Sequence, residues 1–569
     1  MNNKQALNLS QTRRLWLVLT GVFIITIVIV GRLMAFQVFQ VAPWPEWIGG
    51  NRVVIAKPER GAIYDRNGAI LAANGADYQV SVAPNMVTEP EELSTALAPI
   101  LQKSRYDLLD ALEAERQFVM LDGRVSAEVA AAIDDLPYYG IKLDPVPRRF
   151  YPQGKMLCHT LGYVDFNGDG GGGLEGQYQQ ELAGEAASAA LNDSPLTVQE
   201  SVIAREGSDL TLTIDRSVQS LVEHHLGQAL RDYGAVSGEI IVMDPRTGAI
   251  LAMAAAPCYD PYAYYDTEDE SLFLNPFVTR QYEPGSVMKL LTMAAAMDSG
   301  TVTAQTTYYD AGVLEVGGHL TYNWDLSAPG TTDMTTLLSR SLNVGAATIA
   351  TWTGADSFYS YMQRFGFGRP TGIDLMSEAS GLMPLPGSAS WTESFLATNA
   401  YGQGLAVTPL QMITAVSAIA NNGDIMQPYL VEKIGSGEDA FTHTPTILSR
   451  PISPETAHAV SAMAVTAVAR EVPQAMVDGY TVAGKTGTAQ IAENGFYLER
   501  DVIGSFIGWL PADSPEIIVL VKLDRPETPW GSATAAPAFA DLVEELVVLL
   551  DIPPDNVRLQ ADVFAARGN

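Results

Sequence analysis

Runs of alternating apolar and polar residues, or of β-branched residues, occur in two widely separated parts of the chain. They predict strands at 209–215, 238–244 and 249–255, and again at 503–510 and 516–523. Apolar residues at helical spacing predict amphipathic helices at 216–231 and 537–550. Because strands at both ends flank a helix-rich middle, we predict an α+β fold with one antiparallel central sheet, assembled from sequence-distant strands and flanked by helices.

The N-terminal part of the chain has a different pattern. Residues 58–72 alternate around Asp65-Arg66-Asn67-Gly68, which favours a tight turn and predicts a β-hairpin. Residues 91–135 are rich in Ala, Leu and Glu and predict helix, with a break near Asp122-Gly123. The pattern separates residues 39–205, called here the pedestal, from the chain that follows, called here the head.

An uncharged apolar run of 16 residues covers 15–30. A membrane-spanning helix needs about 20 residues. We therefore expect the helix to pass Arg32 and reach residue 38, with Arg32 at the outer interface or facing a partner helix. Lys4, Arg13 and Arg14 precede the run and favour a cytoplasmic N-terminus. A cleaved signal peptide is the alternative, but no small-x-small cleavage site follows the run.

Composition indicates the number of domains and argues against nucleic-acid binding, a disulfide scaffold and a metal site. The 569 residues, 47% hydrophobic and 17% charged, indicate two or three globular domains. A formal net charge of −31 argues against nucleic acid as a partner, because phosphate binding needs clustered Lys and Arg. Cys158 and Cys258 are too few for a disulfide scaffold and suit an exported protein that avoids thiols. Cysteines and histidines lack zinc-site spacing, and we predict no metal and no cofactor.

One segment imitates a metal site. Residues 165–170 match the opening of a calcium-binding EF-hand loop, which needs a bidentate Glu at its twelfth position. That position is Gly176, and the nearest carboxylate, Glu175, comes one residue early. We therefore predict a turn here and not a calcium site.

Three short motifs carry the candidate chemistry. They are Ser286-Val287-Met288-Lys289, Ser341-Leu342-Asn343 and Lys485-Thr486-Gly487-Thr488. Pro284-Gly285 breaks the chain just before Ser286, so we predict that Ser286 begins a helix and that Lys289 lies on the same face. The helix N-terminus favours negative charge that develops there.

A serine is a weak nucleophile and needs a base. Lys289 can serve only if its pKa falls from about 10.4 toward neutrality, through burial or a second cation. Lys485 is the candidate second cation. Gly487, in a strand-like setting, would let a ligand approach the backbone closely.

The three motifs, in this order and separated by 55 and 144 residues, resemble those of penicillin-binding proteins. The flanking strings at 282–285, 398–404 and 408–411 resemble the same family. The 58–72 hairpin, 148–152 and 173–178 resemble the non-catalytic domain of its class B. The chain is therefore similar to a class B penicillin-binding protein, a membrane-anchored peptidoglycan transpeptidase whose catalytic domain has the serine β-lactamase-like fold.

The resemblance implies a domain plan over nearly the whole chain. The expected segments are a cytoplasmic tail (1–14), a transmembrane anchor (15–38), the pedestal or dimerisation domain (39–205), the penicillin-binding transpeptidase domain (206–553) and a C-terminal tail (554–569). The resemblance implies that the pedestal is elongated and β-rich and sets the height of the head.

The resemblance also implies roles for the motif residues. Ser286 would attack the penultimate D-Ala of a stem peptide, with Lys289 as its base and Ser341 relaying the proton to the leaving amine. Asn343 would orient Lys289, and Lys485 would add positive potential. Thr486, Gly487 and Thr488 would form the substrate-binding strand. An amine of a second stem peptide would then attack the acyl-enzyme and form the cross-link. A β-lactam would acylate Ser286 in place of the donor peptide.

Partners and rival functions follow from the same resemblance. A multispanning lipid-II polymerase and other division or elongation membrane proteins are the expected partners, with the catalytic domain outside the cytoplasm. Glu283, 505–508 and 535–539 are more similar to the division type than to the elongation type. A β-lactamase, a D,D-carboxypeptidase, a bifunctional class A enzyme, and a scaffold that regulates the polymerase are the alternatives.

Overall fold

The computed structural model describes residues 16–17, 19–30, 53–56, 58–185, 187–190, 205–437, 439–493 and 496–560. Two compact units are formed. One draws on 1–57 and 186–205, and the other on 58–185 and 206–569.

The described strands, in chain order, are β1 (Val53–Ala56), β2 (Ile63–Tyr64), β3 (Ile70–Val82), β4 (Val119–Val125), β5 (Ile141–Phe150), β6 (Tyr163–Val164), β7 (Gly170–Gly171), β8 (Ala187–Ala190), β9 (Leu210–Leu212), β10 (Ser237–Met243), β11 (Ile250–Ala256), β12 (Thr307–Asp310), β13 (Val313–Val316), β14 (His319–Tyr322), β15 (Gly330–Asp333), β16 (Ile425–Met426), β17 (Val431–Ile434), β18 (Phe441–Thr442), β19 (Ile447–Ser449), β20 (Ala483–Glu493), β21 (Phe496–Leu510) and β22 (Ile517–Asp524).

The described α-helices after residue 56 are α1 (Pro90–Leu101), α2 (Arg105–Leu112), α3 (Ala127–Asp134), α4 (Cys158–Leu161), α5 (Gly173–Gln177), α6 (Gln179–Ala183), α7 (Arg216–Asp232), α8 (Pro276–Thr279), α9 (Met288–Asp298), α10 (Met334–Ser339), α11 (Asn343–Thr353), α12 (Ala355–Arg364), α13 (Ser394–Ala400), α14 (Pro409–Ala420), α15 (Pro454–Glu471) and α16 (Ala535–Leu549). Short 3₁₀ helices lie at Pro84–Met86, Pro261–Asp266, Glu270–Phe273, Gly285–Val287 and Pro473–Ala475.

The first unit contains a short helix and a two-stranded sheet. Residues 19–30 are helical, and β1 pairs antiparallel with β8. Among the helices within the described ranges, none has both the length and the apolar character needed to cross a membrane. Residues 15, 18 and 31–38 of the predicted anchor lie outside the described residues.

The predicted central sheet is present in the head. Its five strands follow the order β11-β10-β22-β21-β20, and every neighbouring pair is antiparallel. Side chains alternate between its faces, so Ile241 and Leu520 join one core with helix α9, whereas Ile240 and Val521 join a second core with α7 and α16. Both faces are therefore covered by helices, as predicted for an α+β domain.

A second sheet joins the pedestal to the head. Its path is β18-β17-β9-β2-β3-β4, and β5 pairs with β3. The strand predicted at 209–215 is the shorter β9, which pairs with β2 of the pedestal and β17 of the head. Its assignment to the central sheet was wrong, because a β-branched pattern defines a strand without defining its partner.

The pedestal confirms one local prediction and corrects another. β2 and β3 form the predicted hairpin, and the Asp65 carboxylate accepts the backbone N–H groups of Asn67 at 2.9 Å and Ala69 at 2.7 Å. Residues 91–135 contain helices α1, α2 and α3, but the predicted break near Asp122-Gly123 lies inside strand β4. That strand pairs with β3, a long-range contact that helical periodicity does not encode.

The segment resembling an EF-hand is the turn between β6 and β7. The Asp165 carboxylate accepts the backbone N–H groups of Asn167 at 2.8 Å and Asp169 at 2.9 Å. The Glu175 carboxylate is paired instead with Arg60 at 2.7 Å and Arg149 at 2.6 Å. The Asp165 carboxylate therefore stabilises the turn, and the Glu175 carboxylate forms ion pairs.

The two cysteines pair with each other. Cys158, at the start of α4, and Cys258, after β11, form a disulfide across 100 residues of sequence. The bond joins the pedestal to the head. One bond is not a disulfide scaffold, and neither cysteine is a free thiol. The pairing itself was not predicted, because 100 residues separate the two cysteines.

We expect the Cys158→Ser/Cys258→Ser double variant to lose about 2–4 kcal/mol of unfolding free energy, because a cross-link that closes a long loop restricts the unfolded chain. Denaturant titration of the full chain measures this loss. Adding a reductant should destabilise the wild type and leave the double variant unchanged. Equal stability of the oxidised wild type and the double variant would contradict this expectation.

Candidate active site

Ser286 lies where the sequence predicts it, at the start of a helix. Gly285 has a φ of +55°, a conformation that glycine adopts without steric cost. The 3₁₀ helix Gly285–Val287 then leads directly into α9. The side chain of Ser286 is half-buried, while the neighbouring Val287 is fully buried. The turn thus leaves the Ser286 hydroxyl partly exposed, directly beside the buried core.

Lys289 connects the first two motifs. Its side chain is buried, and Nζ lies within hydrogen-bond distance of Ser286 Oγ at 2.9 Å, Ser341 Oγ at 3.1 Å and Asn343 Oδ1 at 2.7 Å. The Ser341 carbonyl oxygen also accepts from Nζ, at 2.6 Å. The amine therefore lies between two hydroxyl groups and is held by an amide.

The backbone at Ser341 is unusual. Its φ is +57°, in the left-handed region that residues other than glycine rarely adopt. This conformation turns the Ser341 carbonyl toward Lys289 between helices α10 and α11. Asn343 begins α11, and its Nδ2 donates to the Tyr322 carbonyl at 3.1 Å, which orients the amide. Strain of this kind persists where surrounding contacts hold it, commonly at functional sites.

The third motif lies on β20, against the nucleophile turn. A Cβ on Gly487 would lie 2.9 Å from the Pro284 carbonyl oxygen and 3.0 Å from Val287 Cγ2. A Cβ on Gly285 would lie 2.8 Å from the Thr488 carbonyl oxygen. The two glycines therefore allow the strand and the turn to meet. Thr486 and Thr488 are half-buried, and Thr488 Oγ1 accepts the Gly531 N–H at 3.2 Å.

Burial and charge both act on the two motif lysines. Burial, reinforced by the nearby cation of Lys485, lowers the pKa of Lys289 well below that of an ordinary lysine. Burial also lowers the pKa of Lys485 to about 8, against the opposing effect of Glu471. Among the described residues, Lys485 Nζ hydrogen-bonds with Thr486 through its carbonyl and hydroxyl oxygens, both at 3.2 Å. Burial and the Lys485 charge therefore make the neutral form of Lys289 more accessible than that of an ordinary lysine.

Residues 238–544 match the family model for the penicillin binding protein transpeptidase domain, and residues 55–211 match the model for the penicillin-binding protein dimerisation domain. The chain is 33% identical to stage V sporulation protein D of Bacillus subtilis, an alignment covering 89% of this chain and 80% of that protein. The chain belongs to the class B penicillin-binding proteins.

A second relative and a solved structure agree with this family assignment. Penicillin-binding protein PbpB of Mycolicibacterium smegmatis is 31% identical, with 78% of this chain and 72% of that protein aligned. The crystal structure of penicillin binding protein 3 from Mycobacterium tuberculosis, complexed with ampicillin, is 26% identical. It has a TM-score of 0.69 and covers 88% of this chain and 97% of that one.

Sequence patterns missed several groups beside the motifs of this class B penicillin-binding protein. Trp324, whose Nε1 donates to the Arg340 carbonyl at 3.0 Å, and Trp530, next to Gly531, meet edge to face with ring centroids 5.4 Å apart. They link the chain beside Ser341 to the loop that contacts β20. Both lie in irregular segments, where periodicity gives no signal.

Glu283 is a second group whose contacts the sequence did not reveal. Its carboxylate accepts the Gly404 N–H at 2.9 Å and the Tyr497 hydroxyl at 3.0 Å. It thereby connects the nucleophile turn to two other segments. Among the described residues, the cluster with metal-ligand geometry is Cys158, His159 and Cys258, whose thiols form the disulfide.

Removing the second cation should shift the pH dependence of acylation. Because the charge of Lys485 lowers the pKa of Lys289, we expect Lys485→Met to raise that pKa. A base with a higher pKa becomes neutral at a higher pH, so the rising limb of the rate profile should move upward. Acylation rates with a penicillin measured below pH 8 test this shift, since Lys485 itself deprotonates near that value.

Lys485→Arg is the matched control for this experiment, because it keeps the positive charge, and its rising limb should stay nearer to the wild type. A Lys485→Met profile that coincides with the wild-type profile would contradict the assigned electrostatic effect.

The close approach at Gly487 gives a separate expectation. In Gly487→Ala the new Cβ would clash with Ser505 Oγ and with the Pro284 carbonyl oxygen of the nucleophile turn, so the strand and the turn must separate. We expect the acylation rate constant to fall roughly 10- to 100-fold, since small displacements of reacting groups slow reactions steeply. Stopped-flow acylation by a fluorescent penicillin measures the effect.

Gly227→Ala is the control for the glycine substitution. That residue lies on helix α7, and its added Cβ would meet only the flexible end of Arg231, at 3.5 Å. It should acylate at the wild-type rate. An unchanged rate constant in Gly487→Ala would show that the contact between β20 and the turn is not needed.

Proposed function

We propose that this protein is a serine D,D-transpeptidase that cross-links peptidoglycan stem peptides through an acyl-enzyme on Ser286. The observation that carries the proposal is the position of Lys289 Nζ, within hydrogen-bond distance of Ser286 Oγ, Ser341 Oγ and Asn343 Oδ1. A buried amine with a depressed pKa, in contact with a serine hydroxyl at a helix N-terminus, is suited to activate that serine. Names of relatives such as the peptidoglycan D,D-transpeptidase FtsI homolog of Mesostigma viride, 28% identical, support this activity.

Acylation would begin with proton transfer from Ser286 Oγ to neutral Lys289. The alkoxide attacks the carbonyl carbon of the penultimate D-Ala, and the carbonyl oxygen becomes an oxyanion. The backbone N–H groups of Ser286 and Thr488 are the proposed donors to it, and one such donor contributes about 3 kcal/mol in comparable sites. The contact of β20 with the nucleophile turn supports this pairing.

Collapse of the tetrahedral intermediate breaks the peptide bond and releases terminal D-Ala. The leaving amine needs a proton, and Ser341 Oγ, 3.1 Å from Lys289 Nζ, is the proposed relay. Asn343 keeps Lys289 in place. Lys485 supplies positive potential, and the hydroxyl groups of Thr486 and Thr488 would hold the terminal carboxylate of the donor.

The acyl-enzyme then reacts with an amine of a neighbouring stem peptide, whose attack forms the cross-link and frees Ser286. A β-lactam would acylate the same hydroxyl and remain attached, because its ring-opened product retains the leaving group. That the solved relative is complexed with ampicillin supports β-lactams as ligands here.

We also propose the cellular setting. Residues 15–38 form a single-pass anchor with a cytoplasmic N-terminus, residues 39–205 the pedestal and 206–553 the catalytic domain outside the cytoplasm. A multispanning lipid-II polymerase is the proposed partner. Septal synthesis is favoured over elongation by Glu283 and by the strings 505–508 and 535–539. Depletion in the source cell separates the two, since loss of a septal enzyme gives filaments and loss of an elongation enzyme gives rounded cells.

Transfer must be separated from hydrolysis. The purified full chain is incubated with a stem pentapeptide ending in D-Ala-D-Ala and with an excess of a D-amino acid as acceptor amine. Mass spectrometry should show released D-Ala and exchanged peptide in excess over the hydrolysed tetrapeptide. Hydrolysis alone would indicate a carboxypeptidase, and absence of both products would indicate a scaffold.

A further inference from the structure

A buried ion pair lies in the central sheet behind the nucleophile turn. Lys522 on β22 and Glu239 on β10 are direct partners in register, with Nζ 2.7 Å from Oε2. Their side chains are 3% and 1% exposed. Lys522 also donates to Asp524 Oδ2 at 3.0 Å.

The pair lies on the face of the sheet that meets the active site. Gly487, Ser505, Lys522 and Glu239 are successive partners across four strands. Residues paired in this way project to the same face. A Cβ on Gly487 would meet the nucleophile turn, so that face is the one that packs against the turn.

Tyr282 is close to the ion pair and precedes Ser286 in the chain. Lys522 Nζ is 5.3 Å from the centroid of the Tyr282 ring, a cation–π distance. The ring is buried, and the Tyr282 backbone is fixed by two hydrogen bonds with Val407, each 2.9 Å. Three residues separate Tyr282 from Ser286, and Pro284 among them restricts the backbone. Tyr282 is thus connected to the ion pair through its ring and to the nucleophile turn through a short stretch of backbone.

Packing alone does not account for these charges. A buried ion pair gains little over apolar residues of the same volume, because both charges lose their hydration. Two apolar side chains would complete this part of the core equally well. Removing one partner, in contrast, leaves a charge without its counter-ion and displaces its neighbours.

We infer that the Lys522–Glu239 pair, acting through the Tyr282 ring, is a positioning element for Ser286 in the acylation reaction. Neither residue contacts the reacting atoms. Loss of the pair should let the ring and the turn shift, which lengthens the approach of Ser286 Oγ to its target without altering the strand that binds the ligand. This inference rests on the proposed function, since it assigns a cause to the rate of that reaction.

The test measures acylation of the full chain in detergent by a fluorescent penicillin, as a function of penicillin concentration. Four variants are compared: Lys522→Met, Glu239→Gln, the two combined, and Tyr282→Leu. Leucine is a fair replacement because the buried Tyr282 hydroxyl has no hydrogen-bond partner among the described residues. Rate constants refer to the fraction of protein that becomes labelled, so misfolded molecules do not contribute.

We expect the limiting rate constant to fall about tenfold in Lys522→Met and in Tyr282→Leu, with the half-saturating concentration within about twofold of the wild type. The combined variant should fall no further than the single ones, because the pair acts as a unit. Arg149→Met is the control, since Arg149 forms an equally buried pair with Glu175 in the pedestal, at 2.6 Å. It should keep the wild-type rate constant.

The inference is overturned if Lys522→Met or Tyr282→Leu keeps a limiting rate constant within about twofold of the wild type, or if Arg149→Met falls equally. Should Lys522→Met fail to fold, Tyr282→Leu decides alone, because it leaves the ion pair in place. A wild-type protein that takes up no penicillin would defeat the proposed function itself, and is therefore distinct from failure of the inference.

Discussion

Replacing Ser286 with alanine should remove covalent capture of penicillin and stop acyl transfer. The Ser286 hydroxyl contacts Lys289 Nζ at 2.9 Å and lies at the N-terminal end of a helix. Removal of a catalytic nucleophile lowers turnover by about 10⁴- to 10⁶-fold in serine enzymes. Gel fluorescence after denaturation, together with release of D-Ala from a stem pentapeptide, measures the loss.

The matched control is Ser220→Ala, which removes an exposed hydroxyl on helix α7, away from the motifs. It should be labelled like the wild type. Equal labelling of Ser286→Ala and the wild type would exclude Ser286 as the nucleophile. If Ser286→Ala loses labelling, binding of a non-covalent ligand shows whether the variant is still folded.

Lys289→Met has the second largest expected effect, a fall of about 10²- to 10⁴-fold in the acylation rate constant. Methionine matches the length of lysine but cannot accept a proton from Ser286. Because burial and Lys485 lower the pKa of Lys289, the wild-type rate should rise with pH well below the pKa of an ordinary lysine. Acylation kinetics across pH should show that limb in the wild type and not in the variant.

Lys142→Met controls for loss of a lysine, since Lys142 is an exposed pedestal residue paired with Asp144 at 2.6 Å. Its rate and pH profile should match the wild type. If Lys289→Met kept the rising limb, a different group would be the base.

Local patterns predicted the elements that carry the site. A break at Pro284-Gly285 followed by an apolar run was enough to place Ser286 at the start of the helical segment that continues as α9, because helix termini have local signals. Alternation likewise predicted β10, β11, β21 and β22, whose hairpin connections are short. The motif order then suggested that three sequence-distant segments share one cleft, and the structure does bring Ser286, Lys289, Ser341 and Asn343 together around one amine.

Pairing between residues far apart in the chain could not be predicted from the sequence. The β4 strand, the partners of β9, the Cys158–Cys258 disulfide and the Lys522–Glu239 pair each depend on residues far apart in the chain. Periodicity describes one face of one element and says nothing about what covers it. The left-handed backbone at Ser341 was equally hidden, because tertiary contacts impose that conformation against the local preference of serine.

Peptide mapping of the penicillin adduct tests the central claim most directly. Cleavage after Arg280 and Lys289 yields a peptide, residues 281–289, in which Ser286 is the sole serine and no threonine or cysteine occurs. Opening of a β-lactam ring expels no fragment, so this peptide should gain the mass of one intact penicillin. Recovery of 281–289 without that mass, from protein that carries the label elsewhere or takes up none, would contradict the account.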